Sequence, residues 1–126
     1  MKNYDKINIM EERRGIILNN NVGLEDLKAF KPRFFPDFIK FVINPKLNKV
    51  NIGMAVHAAC LPEMGDKEDL IGGNIFFDDG HVVWESTLNI NKGKDHDPNN
   101  RRIVIDKESI EQFNLILNAW VNLDND

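Results

Sequence analysis

The chain is short of thiols: Cys60 is the one cysteine in 126 residues. That excludes an intramolecular disulfide and any zinc site built from several thiolates of one chain, and it suits a reducing compartment. No apolar run has the length that crosses a bilayer, and the opening stretch MKNYDKINIMEERRG lacks the apolar segment of a leader peptide. A cytoplasmic protein with no membrane association is the expectation. Positive charge is also in deficit, with 16 Lys and Arg against 20 Asp and Glu and a formal charge of -4. A nucleic-acid binder needs a broad basic face, so that class is disfavoured. There is no HExxH, no DxDxDG calcium loop, no CxxC pair, and no nucleophile elbow around Ser86 and Thr87. No cofactor is expected.

What the chain does have is the ordinary make-up of a packed domain: 42% hydrophobic and 29% charged residues. Its length matches a single domain over 1–126, with 1–21 as a less ordered N-terminal extension. Ile16, Ile17 and Leu18 could be a short strand. Asn19, Asn20 and Asn21 mark a break. Leu24, Leu27 and Phe30, with Glu25 and Asp26 in the first turn, describe a short amphipathic helix that Lys31-Pro32 stops. Four β-type runs follow: Phe38–Ile43, Val50–Ala58, Asn74–Phe77 and His81–Ile90. Asn44-Pro45 and Asp78-Asp79-Gly80 supply hairpin turns between them. Gly65, Gly72 and Gly73 read as turn residues around a short helix at Lys67 to Leu70, and residues 91–102 read as a polar loop. The last helix has Asp106 as N-cap and Ile110, Phe113, Leu117 and Trp120 at helical spacing. The expected fold is α+β: a four-stranded, mainly antiparallel sheet with a short N-terminal helix and a long C-terminal helix on one face.

Several ordered motifs carry a family resemblance. Gly23-Leu-Glu-Asp-Leu27, Asp37-Phe-Ile-Lys-Phe-Val42, His57-Ala58, Gly65-Asp-Lys-Glu-Asp-Leu70 with Gly72 and Asn74, Leu88-Asn-Ile-Asn91 and Asn99-Asn-Arg-Arg102 span roughly 15–121. Together they resemble a family of small uncharacterised prokaryotic α+β proteins with a His-Ala... Gly-x-Lys-x-Glu-Asp-Leu-x-Gly-x-Asn pattern. Ile71 stands where that pattern has Trp, and Ala59-Cys60 where acids follow His-Ala. The resemblance implies an architecture and no activity.

Charge is unevenly placed. Residues 1–50 hold ten basic and six acidic side chains, whereas residues 51–126 hold six and fourteen. Residues 61–85 alone carry seven acids against one lysine, a band suited to a basic protein partner. The expectation is therefore a non-catalytic interaction or binding module, with a protein partner or a homo-oligomer. Its candidate surface is His57, Glu63, Asp66, Glu68, Asp69, Arg101 and Arg102. The competing class is a small metal-dependent hydrolase or nucleotide-handling enzyme. There His57, Glu68 and Asp69 would hold a divalent ion, and Arg101 or Arg102 an anionic substrate. Against the metal set stands the plainer reading of a satisfied histidine beside a solvated acidic loop. Asp78, Asp79 and His81 are already explained by hairpin chemistry, Glu85 by strand alternation that faces it to water while Trp84 packs, and Cys60 as a small buried hydrophobe.

Overall fold

The computed structural model describes residues 16–28, 37–53, 61–90 and 95–123. At its centre is β3 (Phe38–Asn44), whose run of β-branched and aromatic residues suits a strand buried on both faces. Around it lies a sheet of order β1-β4-β3-β5-β6, antiparallel at every step, with β1 at Ile16–Ile17, β4 at Lys49–Ile52, β5 at Ile71–Phe76 and β6 at Val82–Val83. The β3–β4 turn is set by Asn44, whose Oδ1 accepts from the backbone of Lys46 at 3.0 Å and Leu47 at 3.2 Å.

Alternation along the strands gives the sheet two unlike faces. Ile39, Phe41, Ile43, Val50, Ile52, Ile71 and Ile75 build the inner face. Over it lies α2 (Lys107–Trp120), started by Asp106, whose carboxylate accepts from Ser109 N at 3.0 Å. Phe113 and Leu117 enter the core, each contributing about 1.5–3 kcal/mol of burial. Leu24 and Leu27 join the same core from α1 (Leu24–Lys28). Val22 in β2 (Val22–Gly23) pairs in parallel with Val121 in β9 (Val121–Asn122), tying the two ends of the described chain together. The outer face holds a smaller cluster of Val42, Met64, Leu70 and Leu88.

Five expectations need correction. The run His81–Ile90 is a strand only at Val82–Val83 and ends in the 3-10 turn Thr87–Asn89. The sheet has five strands, because the Ile16–Ile17 pair docks on Ile52 and Asn51 as an edge. The N-terminal helix is a single turn of five residues and not a clear flanking helix; Phe30 lies outside the described residues. Gly72 and Gly73 sit inside β5, not in a turn, because neighbours approach too closely for a side chain. A Cβ at Gly72 would lie 2.6 Å from Ser86 Cβ, and one at Gly73 would lie 2.8 Å from the Phe41 ring. Finally, where a loop was expected over 91–102, the described residues from Asp95 onward enter a hairpin of β7 (His96–Asp97) and β8 (Asn100–Val104). Its polar residues hid it: Asn100, Arg101 and Arg102 give no apolar alternation, and Arg101 and Arg102 are exposed.

β7 and β8 form a separate two-stranded sheet, and β8 also bonds to the chain that follows β6. Ser86 N donates to Arg102 O and Val104 N to Trp84 O, both at 3.0 Å, around a Glu85–Ile103 bridge. Here β5 separates from the chain that follows β6, and Asn89 fills the gap. Its Oδ1 accepts from Gly72 N at 2.9 Å, while its Nδ2 lies 3.0 Å from Gly72 O, 3.0 Å from Trp84 O and 3.1 Å from Arg102 O. Asn89 is fully buried, and its own carbonyl is met by His96 Nε2 at 2.8 Å.

Asn89→Ala is expected to destabilise the fold by about 3 kcal/mol, since it strands the Gly72 N–H and C=O in the interior; urea denaturation measures this. Gly72→Ala should cost about 1–3 kcal/mol by overpacking. Ser86→Gly in the same chain should recover part of that loss, a coupling visible in a thermal double-mutant cycle.

Candidate functional site

Residues 61–70 approach β5 as two 3-10 turns, Pro62–Met64 and Lys67–Asp69, separated by Gly65 at φ 84°. Two side chains anchor the loop: Met64 and Leu70 are wholly buried against Val42 and Leu88. Two polar staples hold its backbone, Asn44 Nδ2 donating to Met64 O at 2.7 Å and Lys49 Nζ to Glu63 O at 2.6 Å. With the apolar residues turned inward, Glu63, Asp66 and Glu68 are left at the surface. Asp69 is half-buried and pairs with Lys46 at 3.0 Å. That hydrogen bond and charge, with smaller contributions from Asp66 and Glu68, raise the Lys46 ammonium above its ordinary value. Leu47, 49% exposed, rests against Gly65 at the rim of the same loop.

The acidic band is not one continuous surface. Asp78 and Asp79 lie in the β5–β6 turn, at the opposite end of a six-residue strand from the loop, a separation of roughly 17–20 Å. Asp78, Asp79 and His81 form the one group of three exposed ligand-type side chains within mutual reach among the described residues. Their atoms, however, are engaged in turn geometry. Asp78 Oδ1 accepts from Asp79 N, and Asp79 Oδ1 accepts from His81 N, each at 2.9 Å. His81 Nδ1 also contacts Asp79 Oδ1, and the His81 ring stacks on Phe76 at 4.4 Å. Gly80, at φ 76°, lets the chain reverse.

The third part of the band is Glu85, which lies on the face opposite the packed Trp84 with its side chain 31% exposed. It is half-buried on the outer face among polar groups. Asn100 Nδ2 donates to Oε2 at 2.9 Å, Arg102 Nη2 stands 3.6 Å from the same oxygen, and Asn74 Nδ2 is 3.5 Å from Oε1. Arg102 also bonds Asn100 Oδ1 through its Nε at 3.3 Å. Arg101 and Arg102 thus belong to a strand, and Arg102 already faces a carboxylate of its own chain. His57 and Cys60 lie outside the described residues. So does the expected ion site that needs His57 beside Glu68 and Asp69.

Asn74 and Asn89 were not legible as site residues, although an asparagine inside the apolar run Ile71–Phe77 was the available signal. A separate groove of about 410 Å³ opens where β8 leaves the sheet for α2, lined by Trp84, Val82, Ile103, Ile110 and Asn114 among others. Trp84 Nε1 donates to Asn114 Oδ1 there at 3.2 Å. It holds none of the acidic groups. No helix among the described residues is long and apolar enough to cross a membrane. Comparison with protein-family models, curated proteins and solved structures finds no match.

The His81 contact holds the Asp79 carboxyl below its usual range, chiefly through the side-chain hydrogen bond. A depressed folded-state value means that the stabilisation is present above the ordinary Asp range and fades as pH falls through the folded value. Both groups are exposed, so the global effect is small. His81→Ala should return the Asp79 carboxyl toward its ordinary pKa, read by carboxyl-carbon NMR titration.

Proposed function

We propose that the protein is a non-catalytic interaction module of the cytoplasm and that the acidic loop from Pro62 to Asp69 is its contact surface for a basic protein partner. The observation that carries this reading is the way the loop is mounted. Met64 and Leu70 are driven into the outer cluster, and Asn44 and Lys49 hold the backbone by hydrogen bonds. Glu63, Asp66 and Glu68 therefore project from a fixed frame. Such a frame lowers the ordering entropy of binding. Like charges held together also steer an oppositely charged partner during encounter. Leu47 adds an exposed apolar side chain beside the acids, the pairing of anchor and charged rim found in protein contacts.

The acidic groups beyond the loop do not extend this surface, because Asp78 and Asp79 occupy the far end of β5 and Glu85 is engaged with Asn100. The proposed contact is accordingly compact and centred on Leu47, Glu63, Asp66 and Glu68. The same surface serves a homo-oligomer only if it meets basic residues of a second copy, which are concentrated in residues 1–50. The resemblance of its motifs to those of small prokaryotic α+β proteins is compatible with this reading and adds no activity to it.

The triple charge reversal Glu63→Lys, Asp66→Lys, Glu68→Lys should abolish association while changing stability by no more than about 0.5 kcal/mol per site, as for surface positions generally. Sedimentation of the pure protein separates self-association from a foreign partner. Retention of a partner from native lysate should weaken as salt rises. A monodisperse monomer that retains nothing at low salt would overturn the proposal.

A further inference from the structure

The five-stranded sheet ends at β6, and the register there turns one residue's backbone outward. Phe76 N donates to His81 O at 2.9 Å, and the next pair along the ladder is Ile75–Val82. Antiparallel pairs alternate between bonded and non-bonded, so the N–H and C=O of Val82 point away from β5. Trp84 directs its carbonyl the same way, and there Val104 N of β8 meets it at 3.0 Å. Two residues earlier, Val82 N and O have no hydrogen-bond partner among the described residues. The cause is the course of β8, which ends at Val104 and gives way to α2 at Lys107. Two more residues of β8 would have covered Val82.

Beside this gap lies the groove of about 410 Å³, within the size range of ligand pockets. Val82 and Trp84 form its sheet wall, Ile103 closes the end where β8 departs, and Ile110, Asn114 and Asn118 form its helix wall. No charged side chain lines it. The bond from Trp84 Nε1 to Asn114 Oδ1 at 3.2 Å ties the two walls together and leaves the Asn114 NH2 group as a donor. A strand edge that must stay unpaired ordinarily carries lysine, proline or an inward charge. This one presents Val82-Val83.

We propose that the groove takes an extended, uncharged segment of a partner protein, which adds to β6 as the strand that β8 does not supply. The residue opposite Val82 exchanges N–H and C=O bonds with it. Directly paired residues share a face, and Val82 packs toward the helix-covered core. The side chain opposite it is therefore apolar and lies on the side of Trp84 and Ile110. A charged side chain there would be buried without a counter-charge, at high cost. Because β6 is short, backbone pairing is limited to about one residue and side-chain contacts supply the rest of the affinity. This uncharged partner differs from the basic one proposed for the acidic loop, and the inference does not depend on that reading.

The probe is an end-blocked Thr-Val-Thr-Val-Thr peptide, whose valines share one face and one hydrogen-bonding edge. NMR titration of the isotope-labelled protein should show saturable shifts at Val82, the Trp84 indole, Ile110 and Asn114. Exchange of the Val82 amide should slow at least about tenfold in the complex. N-methylation of both valines removes the pairing N–H groups and should weaken binding at least about tenfold. N-methylation of the central threonine, on the other edge, should leave it within about twofold. These peptides act on the unaltered protein, so the test stands however a variant folds. Val82→Pro removes the outward N–H, spares the β5 ladder as prolines on edge strands do, and should abolish the shifts. No saturable shift, equal binding of the valine-methylated peptide, or shifts centred on residues 62–69 would overturn the proposal. A Val82 amide already protected in a self-associated free protein would also overturn it, by assigning the edge to a second copy.

Discussion

Asn89 satisfies the backbone where the sheet would otherwise come apart. β5 needs a partner beyond Asn74, yet the chain that follows β6 turns away to pair with β8. One fully buried carboxamide spans the opening, taking both backbone groups of Gly72 and reaching the carbonyls of Trp84 and Arg102. An amide can do this because it carries an acceptor and two donors in one plane, which imitates a peptide unit. The interaction requires close approach, and this explains Gly72, where Ser86 leaves no room for a Cβ. Ser86 in turn caps the 3-10 turn Thr87–Asn89, accepting from Leu88 N at 3.2 Å, and so delivers Asn89 to its place.

That arrangement divides the molecule into two sides with different duties. On the inner face, α2 and the sheet exclude water around aromatic contacts such as Phe41 against Trp84 at 5.0 Å and Trp84 against Phe113 at 5.3 Å. That face supplies most of the hydrophobic stabilisation. The outer face is covered only in part by Met64, Leu70 and Leu88. Its remaining area carries amides and charges, which bury poorly and bind well. The proposed contact, the acidic loop over the β3–β4 turn, lies on this side. The aromatic face holds the shape, and the polar face is the one on which the proposed contact lies.

The elements that were legible beforehand are those in which local chemistry and burial agree. Asp106 caps α2 because a carboxylate there meets free amides, whatever the rest of the fold does. Asp78-Asp79-Gly80 turns the chain for similarly local reasons. Phe38–Asn44 is a strand because β-branched and aromatic side chains pack well in a pleated sheet. Failures came where a distant neighbour decided the outcome. Gly72 and Gly73 resemble turn residues until Ser86 and Phe41 are placed against them. Asn100–Arg102 resembles a loop until the backbone of residues 84–86 offers hydrogen bonds to this stretch. The acidic band of 61–85 divides because β5 carries its members to opposite ends of the sheet.

Composition, hydrophobic period and capping residues were enough to define an acidic α+β chain whose last helix covers an antiparallel sheet, since each of those properties acts within a few residues. Register, strand count and the meeting of Asn74, Glu85, Asn100 and Arg102 were settled only by folding. Those four residues come from three strand segments separated in sequence by 11 to 15 positions, and their approach depends on how the Asn89 plug makes the strands diverge. Hydrogen bonds of that kind are directional and long-range in sequence, so no local pattern announces them.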